Sequence, residues 1–192
     1  MLVPVALAAV WFGGLAFAVF TAVVGVAVAW EWCRIAFGAD GFVRYLPIFL
    51  GAALVAAFLG FIGLVPNYVI VLVAFYLTGI VLSLYRRSGE VRWVAFGVPY
   101  ICAPLFALVS LRVGGDMGFA CVLWLLMVVW VTDTAAFFTG RSLGGPKLAP
   151  AVSPNKTWSG ACGGVLAAAI LGYGFAVAWG LPGAFAVALV SA

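Results

Sequence analysis

Charge is what this sequence has least of. Lysine, arginine, aspartate and glutamate together make up 7% of its 192 residues, while 68% are hydrophobic. A soluble fold could not cover itself with so little polar surface. A water-dispersed domain is therefore excluded, and lipid is the expected solvent. Histidine is absent, and the four cysteines stand singly at Cys33, Cys102, Cys121 and Cys162 without a CxxC pair. That combination excludes a zinc site and leaves the thiols as apolar filler. Acidic residues number five against nine basic ones, but the basic ones lie between apolar runs. They form no stripe that could track a phosphate backbone, so nucleic acid is not an expected partner.

What the chain does have is a succession of apolar runs. A crossing needs about 20 residues plus a connection, so there is room for roughly six or seven in one transmembrane domain over residues 1–192. The predicted fold class is all-α, a polytopic transmembrane helix bundle with partial spans at both ends. Leu2 to Trp11 is about half a span and Gly13-Gly14 follows it. With no basic segment before it and no small-residue cleavage site after it, a signal peptide is not expected. Full spans are predicted over Leu15 to Phe37, Pro47 to Val65, Asn67 to Tyr85, Trp93 to Leu111, Gly118 to Thr139 and Thr157 to Trp179. A single long helix over Val3 to Trp30 is the alternative reading of the first two runs. After Leu181-Pro182-Gly183 an apolar run continues to Ala192. Incomplete spans leave helix faces that a partner chain, such as a second copy in a homodimer, would cover.

Basic residues set the orientation, because short translocated loops lack them. Arg34 and Arg44, then Arg86, Arg87 and Arg92, then Arg141, Lys147 and Lys156 fall on alternate connections. The turns at Gly13-Gly14, Pro66-Asn67 and Gly114-Gly115 carry none apart from Arg112 beside Asp116. The pattern predicts a multi-pass protein of the cell inner membrane with the 140–157 loop cytoplasmic. Trp30, Trp32, Trp93, Trp158 and Trp179 fall near span ends, where an indole is stable at headgroup level. Gly160, Gly163, Gly164, Gly172 and Gly174 are expected to let helices approach closely.

Asp133 is the outlier, an acid inside an apolar span. A carboxylate in hydrocarbon costs several kcal/mol, so it is expected to face the bundle interior, a water-filled cavity or a cation. Ala136 and Gly140 lie on its side of the helix and would leave room for a ligand. The bland alternative is a paired acid with no chemical task. Beyond it, residues 140–157 form the longest polar stretch, with Arg141, Lys147 and Lys156 as its only charges. Ser153-Pro154-Asn155-Lys156-Thr157-Trp158 leads straight into an apolar helix, a place where hydroxyls, an ammonium and helix-start amides can meet a phosphate. Here too there is a bland reading: Ser153 or Thr157 merely caps the helix, and the lysines only set orientation.

The run Asp133-Thr134-Ala135-Ala136-Phe137-Phe138-Thr139-Gly140-Arg141, then Lys147 through Thr157-Trp158-Ser159-Gly160, then Gly163-Gly164, closely resembles phosphatidate cytidylyltransferase, also called CDP-diacylglycerol synthase. The likeness covers about thirty residues at several fixed spacings, and Ala29-Trp30-Glu31-Trp32 is similar to the family as well. The resemblance implies Mg²⁺-dependent transfer of CMP from CTP to phosphatidic acid among membrane lipids, releasing pyrophosphate. It implies that Asp133 holds a metal ion or orients a ligand's water, while Lys147 and Lys156 offset phosphate charge. Arg141 would grip a phosphate, Ser153 and Thr157 would donate hydrogen bonds, and Pro154, Asn155, Trp158 and Gly160 complete the substrate-binding segment. Departures are Ala135 and Asn155 where the family commonly has Gly, and Ser159 where Glu is frequent. The family's second signature, with a Lys-Arg pair, several aspartates and His-Gly-Gly, does not occur in these 192 residues. The expectation is that this chain alone is inactive or nearly so. The rival reading is a transporter or ion-coupled channel subunit using the intramembrane Asp133.

Overall fold

The computed structural model describes residues 2–63, 73–74, 77, 80–81, 84 and 91–180, with the backbone alone at 2, 39, 40, 44, 91 and 92. Long apolar runs become helices because hydrocarbon offers no partner for backbone polar groups, so each segment must satisfy its own. The order is α1 (Leu2–Phe12), α2 (Gly14–Phe61), α3 (Val91–Val113), α4 (Gly118–Leu143), β1 (Lys147–Ala149), β2 (Ser153–Thr157) and α5 (Trp158–Ala178). Among the described residues, five stretches are long and apolar enough to cross a bilayer: Gly14–Gly38, Gly41–Phe61, Trp93–Val113, Gly118–Leu143 and Trp158–Ala178. This is the predicted all-α multi-pass bundle, with one small two-stranded sheet added. Most of the predicted span from Asn67 to Tyr85, the Pro66-Asn67 turn, Arg86, Arg87 and the run after Leu181 lie outside the described residues, and the few described positions of that span, 73–74, 77, 80–81 and 84, are helical.

Two compact units are present, Met1–Phe119 and Ala120–Ala192. In the first, the Leu2 to Trp11 run is a separate short helix, which rules out one continuous helix from Val3 to Trp30. The expected loop carrying Arg34 and Arg44 is not a loop. Helix continues through both positions, and the direction changes at one residue, Gly38, with φ 62° and ψ −166°. Only a residue without a Cβ adopts that conformation without strain, so a single glycine replaces a connection.

Both limbs of α2 pack on α3. Ala29, Cys33 and Phe37 from the first limb and Tyr45, Phe49, Ala53 and Ala56 from the second close over Val94, Val98, Ile101, Cys102, Leu105 and Phe106. The three- and four-residue spacings place each set on one helix face. Small residues set the closeness of approach. A methyl group on Gly25 would lie 2.5 Å from Leu105 Cδ1, and one on Gly60 would lie 2.9 Å from Val109 Cβ.

Arg112, the one basic residue on this set of turns, has a structural task. Its Nε donates to the Val10 carbonyl at 2.9 Å and its Nη2 to that of Trp11 at 3.5 Å. These are among the last carbonyls of α1, which have no partner within their own helix. The guanidinium also lies 5.7 Å from the centre of the Phe119 ring, which Trp11 meets edge-on at the same separation. A cation at a helix C-terminus is favourable both as a donor and against the helix dipole.

Candidate functional site

The second unit is built on α4 and α5, which meet through their smallest residues. Gly160, Gly164, Ala168, Gly172 and Ala176 are the buried positions of α5, one every fourth residue. Across the seam a methyl on Gly160 would lie 2.8 Å from the Ala136 carbonyl oxygen, and one on Gly164 would lie 2.9 Å from that of Thr132. Gly163 abuts the Thr139 side chain. Thr132 and Thr139 return their hydroxyls to the Val128 and Ala135 carbonyls of their own helix, so no polar group is stranded in the contact. Farther along, Trp124 Nε1 donates to the Gly172 carbonyl at 3.2 Å. Close packing is thus confirmed for Gly160, Gly163, Gly164 and Gly172. Gly174 differs, because nothing lies within 4 Å of a methyl group placed there.

Asp133 stands beside this seam and not inside it. Thr132, Ala136 and Gly140 supply the face that meets α5. At 100° per residue the Asp133 side chain leaves the helix about 100° from that of Thr132, and it is exposed. Of the expected surroundings, the contact with α5 is not the one it makes, and Ala136 and Gly140 hold α5 where room for a ligand was expected. Among the described residues Asp133 makes no hydrogen bond or ion pair. Asp133, Phe137 and Arg141 are all exposed along one side of α4. The Arg141 guanidinium lies 6.0 Å from the Phe137 ring centre.

The 140–157 segment is more ordered than the loop predicted for it. Helix α4 runs on to Leu143, and a β-hairpin follows that pairs Lys147 with Thr157 and Ala149 with Ser153. Between those pairs β1 has one residue, Leu148, and β2 has three, Pro154, Asn155 and Lys156. The surplus forms a bulge. Proline has no amide to give to a ladder and suits such a position, and a bulge re-aims the side chains it displaces. Pro154, Asn155 and Lys156 are all exposed, as is Lys147, while Ser153 is half-buried and Thr157 is buried.

Thr157 caps α5, its Oγ1 accepting from the Gly160 amide at 3.2 Å. The Trp158 amide donates to the Pro146 carbonyl at 3.1 Å. Two of the helix-start donors that could have met a phosphate, the Trp158 and Gly160 amides, are thus engaged within the protein. Trp158 leaves its ring exposed, and Gly160 serves the helix contact. Three cations are thus carried by the last turn of α4, Arg141, and by the two strands of the hairpin, Lys147 and Lys156, with Asn155 next to Lys156 in the bulge. By the helix rise, Asp133 lies about 10 Å farther down α4 than Gly140, which abuts Thr157. No three potential ligands gather anywhere among the described residues, so Asp133 offers a metal ion a single carboxylate and not a protein-built cage.

Sequence reasoning missed Ser159, whose hydroxyl donates to the Gly144 carbonyl and lies 3.1 Å from Thr157 Oγ1. It registered only as a family departure, since a serine two residues past a capping threonine has no distinctive pattern. The thiols divide: Cys33 and Cys102 are buried, Cys121 is half-buried and Cys162 is exposed on α5.

Comparison with known proteins places this geometry. The model of the cytidylyltransferase family matches residues 1–192. The chain is 38% identical over 182 residues to the phosphatidate cytidylyltransferase of Brucella suis, covering 90% of this chain and 65% of that protein. Identity to the protein of the same name from Pseudomonas aeruginosa is 31% over 172 residues, 86% of this chain and 63% of the relative. With the Bacillus subtilis protein it is 34% over 93 residues, 48% and 35% of the two chains. The chain spans just under two thirds of the length of the Brucella and Pseudomonas relatives. No solved structure matches. The likeness first carried by Asp133 to Gly164 thus extends over the whole length, and the chain belongs to the cytidylyltransferase family.

Proposed function

We propose that this chain provides the membrane-embedded, phosphate-gripping part of an enzyme that transfers CMP from CTP to phosphatidic acid, forming CDP-diacylglycerol and pyrophosphate. The observation that carries the reading is the bulged Ser153–Thr157 strand. It displays Asn155 and Lys156 at the end of the α4–α5 pair that also bears Arg141 and Lys147. Family membership supports the same reaction, and no comparison points to a transporter.

In this reaction a phosphatidate oxygen attacks the α-phosphorus of CTP. One P–O bond forms to the lipid phosphate, the bond to the β-phosphate oxygen breaks, and pyrophosphate leaves with the bonding pair. Two polyanions must be held together while negative charge grows on the leaving group, so fixed cations contribute through positioning and charge stabilisation. Lys147 and Lys156 serve as point charges for that purpose, and Arg141 can hold a phosphate through two parallel N–H bonds. Asn155 adds an amide donor on the same bulge, and the half-buried Ser153 stands where the bulge begins. Mg²⁺ would supply further charge neutralisation, held by the Asp133 carboxylate with phosphates and waters as the other ligands.

Lipid phosphate lies at the membrane surface, and the hairpin would meet it from the cytoplasmic side of the inner membrane. A homodimer is the proposed cover for helix faces that incomplete spans leave open. In the full-length protein Lys156→Ala is expected to lower CTP-dependent turnover by roughly 10²-fold, the scale of losing one transition-state charge contact, and Asp133→Asn to lower it as well. Unchanged turnover in both variants contradicts these roles.

A further inference from the structure

We infer that Thr157 and Ser159 form a hydroxyl relay that latches the cap of α5 to the end of α4, and thereby positions the bulge bearing Asn155 and Lys156. The inference rests on the proposed reaction for its catalytic meaning, but its geometry stands by itself. A serine hydroxyl has one proton. In Ser159 that proton goes to the Gly144 carbonyl, so in the 3.1 Å contact between the two hydroxyls Thr157 must be the donor. Thr157 Oγ1 in turn accepts from the Gly160 amide at 3.2 Å. The bonds therefore run one way, from the Gly160 amide through Thr157 and Ser159 to Gly144.

Gly144 is itself the cap of α4. It has φ 61°, and its amide donates to the Gly140 carbonyl at 3.2 Å. The relay thus joins the donor-rich start of one helix to the acceptor-rich end of another, the favourable sense for their dipoles. Thr157 is 6% exposed, and its proton is committed to Ser159. It is accordingly a positioning residue and not a contact to substrate. The Trp158 amide to Pro146 carbonyl bond, 3.1 Å, fastens the hairpin's other strand. Both anchors lie at the open end of the hairpin, immediately beyond the three exposed residues of the bulge, and hold the strand that carries Lys156 without touching it.

The test compares Ser159→Ala with Ser159→Thr, which keeps the hydroxyl, in the full-length protein in phospholipid nanodiscs. Hydrogen exchange at amides 147–157 and the kinetics with CTP are both followed. Ser159→Ala removes both partly buried hydrogen bonds of the hydroxyl and is expected to speed hairpin exchange by roughly tenfold or more, with α3 exchange unchanged. The KM for CTP should rise by a similar factor while kcat falls less, and Ser159→Thr should restore both. Hairpin exchange that is unchanged in Ser159→Ala, or a defect that Ser159→Thr leaves in place, overturns the latch. A parent protein with no CTP turnover counts against the proposed reaction, and the exchange comparison then decides the latch alone.

Discussion

At the residue scale, the side chains that explain most are those whose hydrogen bonds reach another element. Arg112 bonds carbonyls 102 and 101 residues away in the chain, tying α3 to the end of α1. Replacing it with methionine keeps the apolar stem and removes every donor. The expected loss is about 1–3 kcal/mol, the cost of leaving buried-side carbonyls without a charged partner, read as a lower thermal midpoint in detergent. An unchanged midpoint would mean that water satisfies Val10 and Trp11 equally well. Arg112 stood out in the sequence because it violated the charge pattern, but its partner could not be named. Nothing local in residues 110–116 points to Val10. Asp133 was legible as an exception for the same reason. Its orientation was not, because a carboxylate placed next to a run of small residues looks the same whether a helix or a ligand fills the space beside it.

At the element scale, glycines decide where helices bend and how closely they pass. Gly160→Leu is expected to force α4 and α5 apart, costing about 1–3 kcal/mol or more as overpacking against the Ala136 backbone. Gly174→Ala meets open space and should be neutral or stabilising by up to about 1 kcal/mol through helix propensity. Thermal unfolding of both variants separates the two cases, and equal destabilisation would contradict the seam described here. Helix existence was readable from the apolar runs, and the Thr157 cap from its position before one. Two features were not. The bend at Gly38 lay hidden because a break of one residue leaves hydropathy unchanged on both sides. The hairpin lay hidden because Lys147–Ala149 and Ser153–Thr157 are short, polar and without the alternation that announces a strand.

At the scale of the whole molecule, the described residues hold five apolar spans suited to lipid and a basic hairpin that is the proposed phosphate grip. The composition dictates the first part outright. The second became readable only through the spacing of residues 133–164, since three exposed cations in a loop have an ordinary explanation in membrane orientation. If the hairpin faces the cytoplasm, Asn155→Cys in a background lacking native thiols should react with a membrane-impermeant maleimide in inside-out vesicles and not in right-side-out ones. The opposite labelling would place the phosphate site on the wrong side for a cytoplasmic nucleotide. The most direct measurement of the central claim uses the full-length protein, phosphatidic acid and CTP labelled at either the α- or the γ-phosphorus. The account predicts that α-label appears in the lipid fraction as CDP-diacylglycerol while γ-label leaves entirely as pyrophosphate. Lipid that acquires γ-label, or acquires none from either position, would contradict it.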